Sequence, residues 1–190
     1  MNFNRPFILA SKSPRRQQLL KDAGYQFEVL TKEVDESFPD ELNPKDVAAY
    51  LSRKKADAFS EDINDAVLIT ADTVVKVGNT ILNKPADENE AYDMLTLLNN
   101  SSHEVITGFT IKDKSKQITK SCTTLVHFRN LDEDEIWYYI KNYKPFDKAG
   151  AYGIQEWIGM VGIDNIEGSY FNVVGLPIHA IVEELKEFNQ

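Results

Sequence analysis

Apolar positions along the chain alternate between short strand-like runs and stripes at helical spacing, the pattern of an α/β protein. Phe7-Ile8-Leu9-Ala10 is a short run ending in the polar turn Ser11-Lys12. A helix from Pro14 to Ala23 follows, with Gly24 as its stop. Phe27–Leu30 reads as a short strand. Val47, Ala48, Leu51, Ala56 and Phe59 recur near helical spacing and predict a second helix, capped by Asn43 with Pro44 just inside. Ala66–Ala71 is almost continuously apolar, as in a strand covered on both faces, and the run ends at Asp72-Thr73. Gly78-Asn79 predicts a hairpin pairing Thr73–Val77 with Thr80–Leu82. Asp87 and Glu90 open a helix whose stripe is Ala91, Met94, Leu95 and Leu98. Alternation predicts strands over His103–Ile111 and Ile118–Phe128. Leu131 to Glu135 opens an acidic-first-turn helix that should bury Trp137, Ile140 and Tyr143. Ile158–Ile166 and Phe171–Val174 read as further strands. Gly175-Leu176-Pro177-Ile178 then starts a last helix, with Ile181, Val182, Leu185 and Phe188 apolar. No internal repeat, low-complexity tract or long linker interrupts this order, so 1–190 is expected to be a single domain.

Composition narrows the classes. An apolar content of 42% with 11% aromatics supports a normal core. No apolar run approaches membrane-spanning length, so no membrane association is expected. Met1-Asn2-Phe3-Asn4-Arg5-Pro6 lacks the pattern of a secretory leader. The single Cys122 excludes an internal disulfide and fits a reducing, cytoplasmic setting. With that one Cys and three His, a structural zinc site is not expected. A net charge of −9 argues against long nucleic acid as a partner. It leaves room for a small anion held by local positive charge.

The first turn provides such a place. Ser13 is a good N-cap and Pro14 fits the next position. Arg15 and Arg16 then stand where the helix dipole is already positive, an arrangement suited to a phosphate chain. Asp72, at the end of a buried run, needs a cation, a metal or backbone donors. In open α/β sheets ligands gather at strand ends. Glu33, Asp35 and Glu36 form an acidic cluster that reads as a solvated turn or as hard-cation ligands. Lys55 flanks a buried helical stripe and can reach a neighbouring site. Asp147-Lys148-Ala149-Gly150-Ala151-Tyr152-Gly153-Ile154-Gln155 is rich in small residues, and its Gln can read a base edge with a donor and an acceptor. His103 and His127 have no triad-like partners and read as structural.

These pieces together resemble the Maf family of nucleotide pyrophosphatases. The resemblance rests on Leu9 to Arg16, Ala71-Asp72-Thr73-Val74-Val75, Lys84-Pro85, Asp147 to Gln155, Gly168-Ser169-Tyr170 and Val174-Gly175-Leu176-Pro177, in order along essentially the whole chain. It implies an elongated mixed twisted sheet flanked by helices, with two lobes around a central cleft, as in inosine triphosphate pyrophosphatases. It implies hydrolysis of nucleoside triphosphates to monophosphate and pyrophosphate with Mg²⁺ or Mn²⁺, a cytoplasmic protein, a homodimer, and a link to septum formation. The loop ending in Gln155 and the Arg15 after Pro14 resemble the subgroup acting on dTTP, UTP and modified pyrimidine nucleotides. A sister subgroup prefers 7-methyl-GTP, and a nucleotide-binding regulator of division without turnover is the other alternative.

By the same resemblance Asp72 matches the family's proton acceptor, and Arg15, Thr73 and Gln155 match its specificity positions. Phosphate contacts then fall to Arg15, Arg16, Lys55 and Lys84, with hydroxyls from Ser11 and Ser13 and a further cation from Lys148. Asp72 as base and Asp72 as metal ligand, completed by Glu33, Asp35 or Glu36, stay equally open. Asn83 departs from the Gly or Glu expected before the Lys-Pro pair.

Overall fold

The computed structural model describes residues 3, 5–61 and 63–189. Met1, Asn2 and Asn4, part of the stretch read for a leader, lie outside them. In chain order the elements are β1 (Phe7–Leu9), α1 (Pro14–Asp22), β2 (Glu28–Val29), α2 (Val47–Asp57), β3 (Val67–Val77), β4 (Thr80–Leu82) and α3 (Glu88–Leu98). Then come β5 (Ser102–Lys112), β6 (Gln117–Phe128), α4 (Glu133–Tyr143), a 3₁₀ turn (Ala149–Ala151), α5 (Trp157–Gly162), β7 (Ile163–Glu167), α6 (Tyr170–Val174), α7 (Ile178–Leu185) and a final 3₁₀ turn (Lys186–Phe188).

The strands form a seven-stranded sheet in the order β2-β1-β3-β5-β6-β7, with β4 on β3. It is mixed: β1 runs parallel to β2 and β3, whereas β4 is antiparallel to β3 and β7 to β6. The chain divides into two compact units. The first takes residues up to Asp72, Thr107–Cys122 and Gly175 onward; the second takes Thr73–Ile106 and Thr123–Val174.

In the first unit strand alternation decides which helix meets which residue. Phe7, Leu9, Val67, Ile69 and Ala71 pack with Leu20 of α1 and with Ile181 and Leu185 of α7. Ile8 and Leu68 point the other way, toward Ala56 and Phe59. Helix α2 is seated on that second face by close backbone approach. A Cβ on Gly108 of β5 would lie 2.2 Å from the Ala48 carbonyl carbon. Buried Ser52 locks the seat: its hydroxyl meets Thr110 Oγ1 at 3.1 Å and its carbonyl accepts from Thr70 Oγ1 at 2.6 Å.

The second unit has its own core, in which Leu95 and Leu98 of α3 and Tyr139 and Ile140 of α4 pack with Val75, Val105, Val126 and Phe128. His103 is buried there, 2.7 Å from the Tyr152 hydroxyl. Burial pushes its imidazole down from 6.5 to about 4, with His127 adding a smaller repulsion. Below pH 6.5 the unfolded chain therefore gains a proton that the folded protein refuses until about pH 4. The His103 contribution is whole above pH 6.5 and shrinks as the pH falls toward 4, by about 2 kcal/mol at pH 5. Melting curves at pH 7 and pH 5 should show this loss in the native sequence and a smaller one in His103→Gln; equal acid sensitivity would refute it.

Four expectations are corrected. The strand through Asp72 does not end there, because β3 continues unbroken to Val77, its outer half paired with β4. The polar Asp-Thr step mimics a strand end in the hydrophobic pattern. Helix α2 starts at Val47, not beside Asn43, whose side chain instead accepts the Lys45 N–H in a local turn. In α4 the buried residues are Ile136, Tyr139 and Ile140, with Trp137 and Tyr143 only partly covered. Ile158–Ile166 is α5 followed by β7, and Phe171–Val174 belongs to α6. Short apolar runs do not distinguish strand from helix by period alone. In the observed helix only glycine fits at position 159, since a Cβ there would sit 1.8 Å from the Ile154 carbonyl oxygen.

Candidate active site

The first unit carries the charged centre. Leu68, Thr70 and Asp72 alternate onto the α2 face of β3, and one helical step beyond Ser52 brings Lys55 over Asp72. Lys55 Nζ lies 2.5 Å from Asp72 Oδ1 and 2.7 Å from Glu36 Oε1. The ammonium and the Asp72 carboxyl are both largely buried, at 17% and 13% side-chain exposure. One cation thus holds two carboxylates that are far apart in sequence. The adjoining pair is more exposed: Lys54 donates to Asp35 at 3.0 Å. The Ser37 hydroxyl, then Lys54, lower the Asp35 carboxyl to about 2. Glu33 is exposed.

The opening turn is organised as its sequence implied. Ser13 Oγ accepts the Arg16 N–H at 3.5 Å, and the half-buried turn is closed by Ser13 N–H donating to Ser11 Oγ at 3.2 Å. Arg16 does more than face an anion. Its Nε donates to the Gly175 carbonyl and its Nη1 to the Ala71 carbonyl, each at 2.8 Å. The side chain therefore ties α1 to the β3 residue before Asp72 and to the turn before α7. Burial lowers its pKa, while Asp72 and Glu36 act to raise it and Arg15 to lower it further. Arg15 stands beside it in the first turn.

The second unit carries the remaining predicted residues. Thr73 follows Asp72 on β3 and is half-buried. Lys84 is exposed beside buried Pro85, and the Asn83 carbonyl accepts the Gly150 N–H at 3.1 Å. Gly150 has φ +68° and its missing Cβ admits the Val75 side chain at 3.0 Å, so only glycine fits comfortably. Lys148 is buried, with Nζ 2.7 Å from Asp147 Oδ1 and 3.1 Å from Glu156 Oε1. Gln155 is exposed and lines an open groove of about 590 Å³ with Ile154, Met160, Ile163, Ile166 and Tyr170. Tyr139 and Glu156, which hydrogen-bond to each other beneath this loop, were not singled out from sequence. The available signal was that Glu156 directly follows Gln155.

Among the described residues no group of three or more His, Cys, Asp or Glu side chains could hold a metal ion. Mg²⁺ needs less: one or two carboxylates, with substrate phosphates and water completing its shell. Asp72 and Glu36, brought together on Lys55, fit that sparser donor set.

A capped, arginine-bearing helix start thus lies in the same unit as a cation-paired carboxylate. The model for Maf-like proteins matches residues 6–188, and the chain belongs to that family. A dTTP/UTP pyrophosphatase of Cytophaga hutchinsonii is 51% identical over 98% of this chain and 86% of its own. A dTTP/UTP pyrophosphatase of Flavobacterium psychrophilum is 49% identical over 94% of this chain and 92% of its own. Among solved structures, a HAM1 protein from Coxiella burnetii aligns with 96% of this chain and 99% of its own, at 11% identity and a TM-score of 0.48. Among the described residues, no helix is long and apolar enough to cross a membrane.

Proposed function

We propose that the chain is a nucleoside triphosphate pyrophosphatase that hydrolyses dTTP and UTP to the monophosphate and pyrophosphate. The observation that carries this reading is the convergence of Lys55 of α2 on Asp72 of β3 and on Glu36. The names of the relatives support the substrate class.

Water adds across the anhydride between the α and β phosphates: its oxygen bonds to the α phosphorus, and pyrophosphate leaves with the bridging oxygen. The protein has to position and deprotonate that water and to balance phosphate charge. Asp72 is the proton acceptor. Lys55, held by Asp72 and Glu36, offers its remaining donor capacity to phosphate oxygens. Arg15 and the first-turn donors of α1 hold phosphate, while Arg16 braces their backbone. Ser11 and Ser13 shape that turn. Lys84 and Lys148 supply further cationic contacts, and Thr73 and Gln155 read the nucleoside. A divalent cation bound by Asp72 and Glu36 would supply Lewis-acid neutralisation of phosphate charge. The same reading includes a reducing cytoplasmic setting, which the lone Cys122 fits. It also includes a homodimer.

The test is pyrophosphate release from a panel of nucleoside triphosphates with Mg²⁺ or Mn²⁺. Turnover led by dTTP and UTP is expected. Preference for 7-methyl-GTP would transfer the chain to the sister specificity, and no turnover of any nucleotide would favour a binding protein. Within that panel, Gln155→Ala should lower pyrimidine preference about tenfold while changing triphosphate affinity less, since it removes a base contact rather than a charge. An unaltered substrate profile would take Gln155 out of base reading.

A further inference from the structure

Gln155 sits inside a turn that is fastened at both ends by one buried phenol. The Glu156 N–H donates to the Gly153 carbonyl at 3.0 Å, closing the four-residue turn Gly153-Ile154-Gln155-Glu156. The Gly153 N–H donates to the Tyr139 hydroxyl oxygen at 3.0 Å. The same hydroxyl donates its proton to the Glu156 carboxylate, so its donor and acceptor capacities are both spent on the turn. Lys148 Nζ adds a second hold on Glu156 at 3.1 Å. Tyr139 is completely buried in α4, and burial, then the Glu156 carboxylate, push its hydroxyl above the ordinary tyrosine value. It remains a phenol throughout the working pH range.

Side chains close in on the turn at Gly153. A Cβ on Gly153 would come within 2.9 Å of Gln155 Nε2 and 3.0 Å of both Glu156 Cδ and Lys148 Cε. The absent side chain at Gly153 is therefore the space in which the carboxamide of Gln155 rests. On the far side, Gly159 of α5 lies against the Ile154 carbonyl. The turn projects Gln155 at the margin of the 590 Å³ groove.

We propose that Tyr139 and Glu156 are positioning residues for base selectivity, clamping the turn so that Gln155 meets the pyrimidine edge already oriented. This rests on the reading of Gln155 as the base contact. A carboxamide discriminates bases only when its donor and acceptor are held in register, because a side chain that swings can satisfy several base edges. Pre-ordering the turn also spares part of the ordering cost on binding. The clamp contributes no atom to the reacting phosphates.

The experiment compares kcat/KM for UTP and for a purine triphosphate in the native sequence, Tyr139→Phe, Glu156→Gln, Gln155→Ala and the Tyr139→Phe/Gln155→Ala pair, each confirmed folded by its melting curve. Competitive inhibition by inorganic tripolyphosphate, which has no base, serves as the readout of phosphate binding. Tyr139→Phe should lower the UTP-to-purine ratio about tenfold with tripolyphosphate inhibition unchanged. Glu156→Gln, which still accepts from the phenol, should retain most of the ratio. The double variant should match Gln155→Ala alone, since the clamp acts through that side chain. If Gln155→Ala changes the ratio and Tyr139→Phe does not, or if Tyr139→Phe weakens all substrates and tripolyphosphate alike, the clamp is refuted. If neither variant changes the ratio, the base-reading assignment falls and the clamp with it.

Discussion

Asp72→Asn is expected to cut pyrophosphate release by about a hundredfold to ten-thousandfold while the protein stays folded. The amide keeps the shape of the carboxyl and can still accept a hydrogen bond from Lys55, which lies 2.5 Å from Oδ1. It lacks the negative charge and the basicity needed to take a proton from water. The cost in stability should stay near 2 kcal/mol, roughly, below that of stranding a buried charge, because the amide still accepts from Lys55 and Lys55 retains Glu36 at 2.7 Å as a counter-charge. Thermal melting and pyrophosphate release measured on the same preparation separate the two effects. Native-like turnover with a native-like melt would remove Asp72 from the role of proton acceptor. Loss of turnover with a collapsed melt would show that the carboxylate is needed for folding, and a catalytic assignment from this variant would then fail.

The second large effect is structural and reaches the site through a helix. Gly108→Ala is expected to cost about 3 kcal/mol, or roughly 10 °C in melting temperature, at the upper range for overpacking. The added Cβ would lie 2.2 to 2.3 Å from the carbonyl carbon and oxygen of Ala48 and the nitrogen of Ala49. These are backbone atoms, so no rotamer change relieves the clash, and α2 has to lift from β5. That movement would carry Lys55 away from Asp72, and turnover should fall by more than the loss of folded protein explains. Gly78→Ala is the control. Its Cβ would have open space, and its cost of about 1 kcal/mol comes only from the left-handed backbone at φ +56°. Similar melting temperatures for the two variants would contradict the described seating of α2.

Much of the architecture was legible because local signals and global packing agree. The stripe Val47, Ala48, Leu51, Ala56 and Phe59 is buried as its spacing implied. The cap on Ser13 is in place, and Asp87 accepts the Glu90 N–H at 2.9 Å. The hairpin at Gly78-Asn79 pairs Val77 with Thr80. In α4, by contrast, the stripe was misplaced, with Tyr139 rather than Tyr143 fully buried. An aromatic-rich helix offers several faces with similar hydrophobicity, and the packing partners choose among them.

The chemical types at the candidate positions of each unit followed from local sequence: in the first a capped helix start carrying Arg15 and Arg16 and an acid beside a buried strand run, in the second a glycine-bounded loop with Lys148 and Gln155. Hydrogen-bond valence, charge and backbone freedom belong to the residues and their near neighbours, so a linear reading captures them. Partnership does not. That Lys55 would gather Asp72 and Glu36, that Arg16 would spend donors on Ala71 and Gly175, and that Tyr139 would hold both ends of the Gln155 turn depend on different elements packing together. Those pairings arise from strand alternation, from the close seat at Gly108 and from the core around α4, all of which exist only once the chain has packed.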